Sequence, residues 1–136
     1  MKYINKKLTI EKVKVQEVAK KFGTPAYCYS YDQLKKNINN FKKSFKSFSP
    51  LICFAIKANA NVSLIKEICQ LGLGADVVSL GELMKALKAG IKPNKIVFSG
   101  VGKTAEEINF AINKRILLIN AESKSEIFEI EKIAKK

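Results

Sequence analysis

One repeated unit restricts what this chain can fold into: from residue 51 onward, a short apolar run, a loop and a segment with apolar residues at helical spacing follow one another. Four runs open these units at intervals of about twenty residues: LICFAI (51–56), ADVVS (75–79), KIVFSG (95–100) and ILLINA (116–121). Strands that are apolar throughout need cover on both faces, which is typical of parallel strands in an α/β fold. The pattern therefore predicts a parallel sheet built from four consecutive βα units.

The segments between the runs carry the spacing and the end signals of helices. Apolar residues that share one helical face are Leu64, Ile65, Ile68 and Cys69 in one segment, and Leu80, Leu83, Met84 and Leu87 in the next. Gly90 is predicted to end the second of these helices. Thr104 and Glu107 have the spacing of a capping box. Ser123 and Glu126 have the same spacing, so each pair predicts a helix start.

Before residue 51 the sequence predicts one more helix, from about Asp32 to Phe48, with Ser30 as its N-cap. Its apolar stripe consists of Leu34, Ile38, Phe41, Phe45 and Phe48. The stretch GTPAYCYSY (23–31) predicts a turn followed by an extended segment. We therefore expect an N-terminal segment at residues 1–31 and a βα portion at residues 32–136.

Both a doubly wound sheet and a barrel fit four βα units, and the near-constant repeat length favours the barrel. A complete (β/α)₈ barrel takes around 250 residues, whereas this chain has 136. The fold class predicted is therefore α/β, as the N-terminal half of a (β/α)₈ TIM-type barrel. Because the chain ends at its fourth helix with an apolar strand edge unpaired, we expect it to be a fragment.

Composition excludes several classes of function. The formal net charge is +13, but Arg115 is the sole arginine and the lysines are spread over every segment, so we expect no nucleic-acid partner. No apolar run approaches the roughly 20 residues of a membrane span, and we expect a cytoplasmic protein without a membrane partner. With no histidine, a zinc site or a Cys/His nucleophile pair is excluded. The three cysteines are expected to be buried small hydrophobes.

Lys57 is the first candidate for chemistry, because FAIKANAN (54–61) sets it at the end of an apolar run. The C-terminal ends of parallel strands open onto one face, where such folds carry their active sites. An amine at that edge, partly shielded from water, suits attack on a carbonyl carbon and formation of a Schiff base. The alternative is a lysine that only extends from the strand end into water. Position alone does not decide between the two.

Two carboxylates follow in the next unit. Asp76 lies inside the second apolar run, where an unpaired carboxylate is costly, and Lys57 on the adjacent strand is its expected partner. Glu82 begins the following helix and, taken alone, is better explained as a first-turn acid that faces the helix dipole.

The stretch GVGKT (100–104) is similar to a Walker A phosphate loop, but that pattern requires glycine where this chain has Val97. The match fails. Ser99, Gly100 and Gly102 could still shape a loop that accepts an anion, although plain loop geometry explains them more simply.

Five stretches in this order and spacing closely resemble the diaminopimelate decarboxylase family: FGTPAYCYS (22–30), FAIKANAN (54–61), GLGADVVSLGEL (72–83), AGIKPNKIVFSGVGKTAEEI (89–108) and INAESKSEI (119–127). The resemblance implies a barrel of the alanine-racemase type with pyridoxal 5'-phosphate as cofactor. It implies that Lys57 forms the internal aldimine and that Asp76 and Glu82 lie beside the cofactor, with no metal. The implied reaction converts meso-2,6-diaminopimelate to L-lysine and CO₂.

The resemblance also implies features beyond this chain. Members of the family form homodimers, and their N-terminal segment packs with a C-terminal β-domain. Their ring-stacking histidine, glycine-rich phosphate loop and substrate-binding residues follow the part that is matched here, so we expect this chain alone to lack normal activity.

Related families fit less well. Alanine racemases carry an AYGHG-like stretch where this chain has NANVSL, and ornithine and arginine decarboxylases usually carry KCN instead of KAN. A different class of function also stays open: a non-catalytic half-barrel that binds pyridoxal phosphate or assembles with a partner chain.

Overall fold

The computed structural model describes residues 1–45 and 47–135, and the chain divides into two compact units, Met1–Ser49 and Pro50–Lys136. The first unit contains strands β1 (Lys2–Ile4), β2 (Lys7–Ile10) and β3 (Val13–Lys14) and helices α1 (Val15–Phe22) and α2 (Tyr31–Ser44). The second contains strands β4 (Cys53–Ala55), β5 (Gly74–Val77), β6 (Ile96–Phe98) and β7 (Leu118–Ile119) and helices α3 (Val62–Gln70), α4 (Leu80–Lys88), α5 (Ala105–Asn113) and α6 (Lys124–Ala134).

The first unit opens with a small antiparallel sheet in the order β1-β2-β3. Asn5 and Lys6 join β1 to β2 with φ values of 48° and 61°, which is the left-handed backbone that a two-residue hairpin turn needs. Thr9 is buried in β2, and its hydroxyl donates to the Lys2 carbonyl at 3.0 Å. The prediction did not include these strands, whose first turn contains no glycine, and it did not include α1.

Helix α2 begins where the sequence predicts. The Ser30 hydroxyl accepts the Gln33 N–H at 3.1 Å, so Ser30 is confirmed as the N-cap. Glu11 supports the same helix start, because its carboxylate accepts the Ser30 hydroxyl at 2.7 Å and the Asp32 N–H at 3.0 Å. The helix ends at Ser44, four residues before the predicted end.

The second unit is a parallel sheet in the order β4-β5-β6-β7, with a helix after each strand. Neighbours in sequence are neighbours in the sheet, which is the arrangement of a barrel segment and differs from the reversed order of a doubly wound sheet. The four predicted βα units and the parallel sheet are confirmed. Among the described residues, no helix combines the length and the apolar character needed to cross a membrane.

Burial alternates along the strands of this sheet. In β5 and β6, Ala75, Val77, Ile96 and Phe98 are fully buried and belong to the hydrophobic core. Asp76 and Val97, which lie between them, are only half-buried. One face of the sheet therefore packs against the helices, and the opposite face carries the candidate carboxylate.

The strands are shorter than the apolar runs. The first run continues past β4 into a 3₁₀ turn at Ile56–Ala58, so Lys57 lies in that turn and not within the strand. Ile56 of the same turn is fully buried, which explains why an apolar residue follows the strand.

The helix ends follow their predicted signals with one exception. Gly90 has a φ of 96° just after α4, as a helix-terminating glycine requires. Thr104 and Glu107 form the expected capping box at α5. At α6 the Ser123 hydroxyl accepts the Glu126 N–H, but the Glu126 carboxylate accepts the N–H of Glu122 at 2.7 Å, so that capping box is not closed.

We predict that Gly74→Ala lowers the free energy of unfolding by about 2 kcal/mol, measured by urea denaturation. A Cβ atom at Gly74 would overlap the Lys95 carbonyl oxygen and would lie 2.9 Å from the Cys53 sulfur. Gly81→Ala is the matched control, since the nearest atom to its Cβ, the Ser79 hydroxyl oxygen, is 3.9 Å away. Gly81→Ala should leave the free energy of unfolding unchanged or raise it slightly, because alanine is favoured over glycine within a helix. Equal stability of the two variants would contradict this account of the β5 packing.

Candidate active site at the C-terminal edge of the sheet

Lys57 lies at the C-terminal edge of the sheet, two residues after the end of β4, and its side chain is exposed. Within residues 1–45 and 47–135, it forms no ion pair. A free and accessible primary amine can attack the carbonyl carbon of a ligand. The predicted position at the edge is confirmed, whereas the shielding from water expected at that edge is not found.

Asp76 lies on the strand next to Lys57, in register with Ala55 of β4 and Val97 of β6. The expected ion pair with Lys57 is not formed. The Asp76 carboxylate instead accepts the Ser99 hydroxyl at 2.6 Å, and Ser99 in turn accepts the side-chain N–H of Asn120 at 2.9 Å. The physical reason is proximity along the sheet: Ser99 directly follows β6, the other neighbour of β5, and its hydroxyl reaches the carboxylate.

Glu82 lies in the first turn of α4, half-buried, and its carboxylate accepts the Val78 N–H at 2.9 Å. Ser79 between them accepts the Glu82 N–H at 3.3 Å. The two bonds close the turn that leads from β5 into α4. This geometry supports the role of a first-turn acid, and in addition it shapes the backbone beside the strand end.

The loop after β6 already uses one of its backbone donors for a carboxylate of the chain. The Gly100 N–H donates to the Glu122 carboxylate at 3.2 Å, so a carboxylate of the chain already uses this donor. Gly100 and Gly102 have φ values of 96° and 76°, and both therefore serve the turn itself. The simpler explanation of this glycine-containing loop is the one that the structure supports.

Sequence reasoning missed the ion pair between Lys103 and Glu126. The Lys103 side chain is 1% exposed and the Glu126 side chain 10% exposed, and their charged atoms lie 2.8 Å apart. The Lys103 amine also donates to the carbonyl oxygens of Gly100 at 2.7 Å and Asn120 at 2.8 Å. The lysine within GVGKT was a possible signal, but its partners lie up to 23 residues away in sequence and only the fold brings them together.

The cysteines depart from the prediction. Cys28 is exposed, whereas Cys53 and Cys69 are half-buried. Burial, and to a lesser extent the charge of Asp76, raises the pKa of the Cys53 thiol. A thiol of this kind stays protonated at neutral pH and is a poor nucleophile. Cys53 therefore contributes to packing and not to chemistry.

We predict that Lys103→Met lowers the free energy of unfolding by about 3 kcal/mol, because it removes the ammonium partner of the Glu126 carboxylate and the donor to two carbonyl oxygens. Urea denaturation measures the loss. Lys135→Met is the matched control: Lys135 pairs with Glu131 at 2.6 Å, but the two side chains are 72% and 54% exposed. Removing that pair should change the free energy of unfolding by less than about 1 kcal/mol. Similar losses in both variants would show that the Lys103 pair does not hold this edge together.

We also predict that acid destabilises the chain, because the pKa values of Glu107 and Glu126 lie below the ordinary 4.5. The causes are the Thr104 N–H for Glu107, and the Glu122 N–H and then Lys103 for Glu126. A carboxyl group of this kind contributes stability that is present above its unfolded-state pKa and is lost as the pH falls through its folded-state pKa. The free energy of unfolding should therefore decrease below about pH 4.5. The decrease should be shallower in Glu126→Gln, and an equal slope would contradict the assignment.

Comparison with known proteins gives the family. Residues 31–136 match the model of the pyridoxal binding domain of pyridoxal-dependent decarboxylases. A diaminopimelate decarboxylase of Helicobacter pylori is 50% identical over 119 residues, which are 88% of this chain and 29% of that protein. The diaminopimelate decarboxylase of Aquifex aeolicus is 45% identical over all 136 residues, or 32% of its length.

Solved structures agree in fold. The crystal structure of diaminopimelate decarboxylase from M. jannaschii in co-complex with L-lysine superposes with a TM-score of 0.91 at 39% identity, over 95% of this chain and 31% of that one. This likeness confirms the N-terminal barrel portion as the fold. The chain spans about 30% of the length of the relatives that it matches. On these grounds, and on the match over residues 31–136, the chain belongs to the pyridoxal-dependent decarboxylase family and carries its pyridoxal binding domain.

Proposed function

We propose that this chain supplies the pyridoxal-phosphate attachment site of a diaminopimelate decarboxylase, with Lys57 as the residue that binds the cofactor covalently. The observation that carries the proposal is the exposed amine of Lys57 at the C-terminal edge of a parallel sheet. This edge is where βα folds place their reacting groups. The family match and relatives at 45% and 50% identity support the choice of cofactor and of reaction.

The described residues fit the aldehyde end of pyridoxal phosphate. An aldehyde carbon requires an accessible primary amine, and Lys57 provides one without an ion pair to break. The Asp76 carboxylate, near the end of the adjacent strand, adds a negative charge on the strand next to Lys57. When bound, the cofactor would supply a ring that takes up the electron pair left on the substrate as its carboxylate departs as CO₂.

The residues of this chain then have separate tasks. Lys57 fixes the position of the cofactor and is the chain's amine for exchange with the amino group of the substrate. Asp76 orients the cofactor attachment region through its negative charge. Glu82 holds the Val78 N–H and thereby fixes the turn after β5, so that the strand end keeps its shape. Rigid support of this kind is what a reacting constellation needs.

For the whole protein we propose meso-2,6-diaminopimelate as substrate, L-lysine and CO₂ as products, and a homodimer as the assembly. The complex of the M. jannaschii enzyme with L-lysine supports the product. The division into a segment at 1–31 and a barrel portion at 32–136 is likewise a proposal. We place the reaction in the cytoplasm, because the exposed free thiol of Cys28 suits a reducing compartment.

We predict that Lys57→Ala abolishes covalent attachment of pyridoxal phosphate. The protein for the test is a chimera in which residues 1–136 replace the matched first third of the Aquifex aeolicus enzyme. After incubation with pyridoxal phosphate and reduction with borohydride, peptide mass spectrometry should find the label on Lys57. Decarboxylation of meso-diaminopimelate should fall at least about 10³-fold in Lys57→Ala.

Two variants control this experiment. Lys57→Arg keeps the positive charge but cannot form the covalent bond, so it should be equally inactive. Lys85→Ala removes an exposed lysine of α4 and should leave labelling of Lys57 unchanged. Unaltered labelling or activity in Lys57→Ala would refute the assignment of Lys57. Preference of the wild-type chimera for ornithine or arginine over diaminopimelate would refute the substrate and leave the cofactor site standing.

A further inference from the structure

A chain of side-chain hydrogen bonds crosses the C-terminal ends of three neighbouring strands. Asn120 follows β7, Ser99 follows β6, and Asp76 lies near the end of β5. The Asn120 side-chain nitrogen is 2.9 Å from the Ser99 hydroxyl oxygen, and that oxygen is 2.6 Å from the Asp76 carboxylate. The second distance is that of a strong hydrogen bond between a hydroxyl and a carboxylate.

The direction of both bonds follows from chemistry. An ionised carboxylate only accepts hydrogen bonds, so the single proton of the Ser99 hydroxyl points to Asp76. The hydroxyl oxygen is then left with lone pairs alone, and Asn120 faces it with its amide nitrogen as donor. The Asn120 amide therefore leaves the Ser99 hydroxyl with one direction for its proton, which is toward Asp76.

The backbone beneath this chain of bonds is held in place. The buried Lys103 amine donates to the carbonyl oxygens of Gly100, the residue after Ser99, and of Asn120 itself. The Ser99 N–H donates to the Val77 carbonyl at 2.8 Å, and the Asn120 N–H donates to the Phe98 carbonyl at 2.8 Å. The sheet therefore holds the backbones of Ser99 and Asn120 in place. The Asp76 side chain is held in turn by its hydrogen bond to Ser99.

We propose that Ser99 and Asn120 are positioning residues that hold the Asp76 carboxylate in the orientation used at the pyridoxal-phosphate site. This inference rests on the proposed function, because it assigns Asp76 to that site. Ser99 bonds to the carboxylate directly, and Asn120 acts through Ser99. Loss of the hydroxyl frees the Asp76 side chain to rotate away, and the negative charge is then misplaced relative to the cofactor.

The test is a double-mutant cycle in the chimera, with the apparent Kd for pyridoxal phosphate as readout. Ser99→Ala should raise that Kd about tenfold, as expected for loss of a hydrogen bond to a charged group. Ser99→Thr keeps the hydroxyl and should restore binding to within about threefold. In an Asp76→Ala background, Ser99→Ala should change the Kd by less than about twofold, because Ser99 acts only through Asp76. Asn120→Ala should have a smaller effect than Ser99→Ala and add nothing to it.

Ser63→Ala is the control, because Ser63 is an exposed serine of α3 that lies outside this chain of bonds. An equal loss from Ser99→Ala with and without Asp76, or no loss at all, would overturn the positioning role while the Lys57 assignment stands. Should Ser99→Ala fail to fold, as judged by circular dichroism, Asn120→Ala and Ser99→Thr decide the matter by the same cycle.

A second readout does not depend on the cofactor. Crystal structures of the cofactor-free chimera should show the Asp76 carboxylate displaced by about 1 Å or more in Ser99→Ala, a misplacement large enough to matter at a reacting site. A carboxylate that stays in place would refute the proposal even if the proposed function were correct. Failure of the wild-type chimera to bind pyridoxal phosphate would refute the proposed function, and the crystal structures would still test whether Ser99 positions Asp76.

Discussion

The C-terminal edge of this sheet depends on the hydrogen bonds of one buried ammonium group, that of Lys103. A lysine side chain that is 1% exposed is tolerable only if each of the three protons on its ammonium group has an acceptor, and each has one: the carbonyls of Gly100 and Asn120 and the carboxylate of Glu126. Those acceptors belong to the loop after β6, the residue after β7 and the first turn of α6. One lysine thus joins three neighbouring segments, beside the backbone bonds that hold Ser99 to Val77 and Asn120 to Phe98.

At three of the βα loops, the carboxylate of a glutamate likewise accepts backbone N–H groups. Glu82 accepts the Val78 N–H, Glu126 accepts the Glu122 N–H, and Glu107 accepts the N–H groups of both Thr104 and Leu80. The Glu107 bonds also join the first turn of α5 to the first residue of α4. Each carboxylate lies near a helix N-terminus, where the unpaired N–H groups and the helix dipole favour negative charge. The loops that surround the candidate site are therefore held by the helices that follow them, which gives the site a defined shape before any ligand binds.

The sequence predicts the parts of this structure that depend on local pattern and fails where distant residues meet. Apolar runs, the Thr104–Glu107 capping box and Gly90 predict the four βα units, because strands and helices carry their periodicity in neighbouring residues. The N-terminal strands escape prediction because Asn5 and Lys6 adopt a turn that glycine would have signalled. The Lys103–Glu126 pair could not be predicted, since burial of a lysine is decided by three segments at once.

The error over Asp76 is the most informative, because it changes how the site is built. An ion pair with Lys57 would have been the shortest way to compensate a carboxylate near a strand end, and it would have engaged the amine that we propose binds the cofactor. The structure separates the two tasks: Ser99 satisfies Asp76 from the other side of the strand, and Lys57 stays exposed and unpaired among the described residues. A hydroxyl can orient a carboxylate without neutralising its charge, whereas an ammonium would do both. The negative charge therefore stays near the edge of the sheet, on the strand next to Lys57, the amine that we propose binds the cofactor.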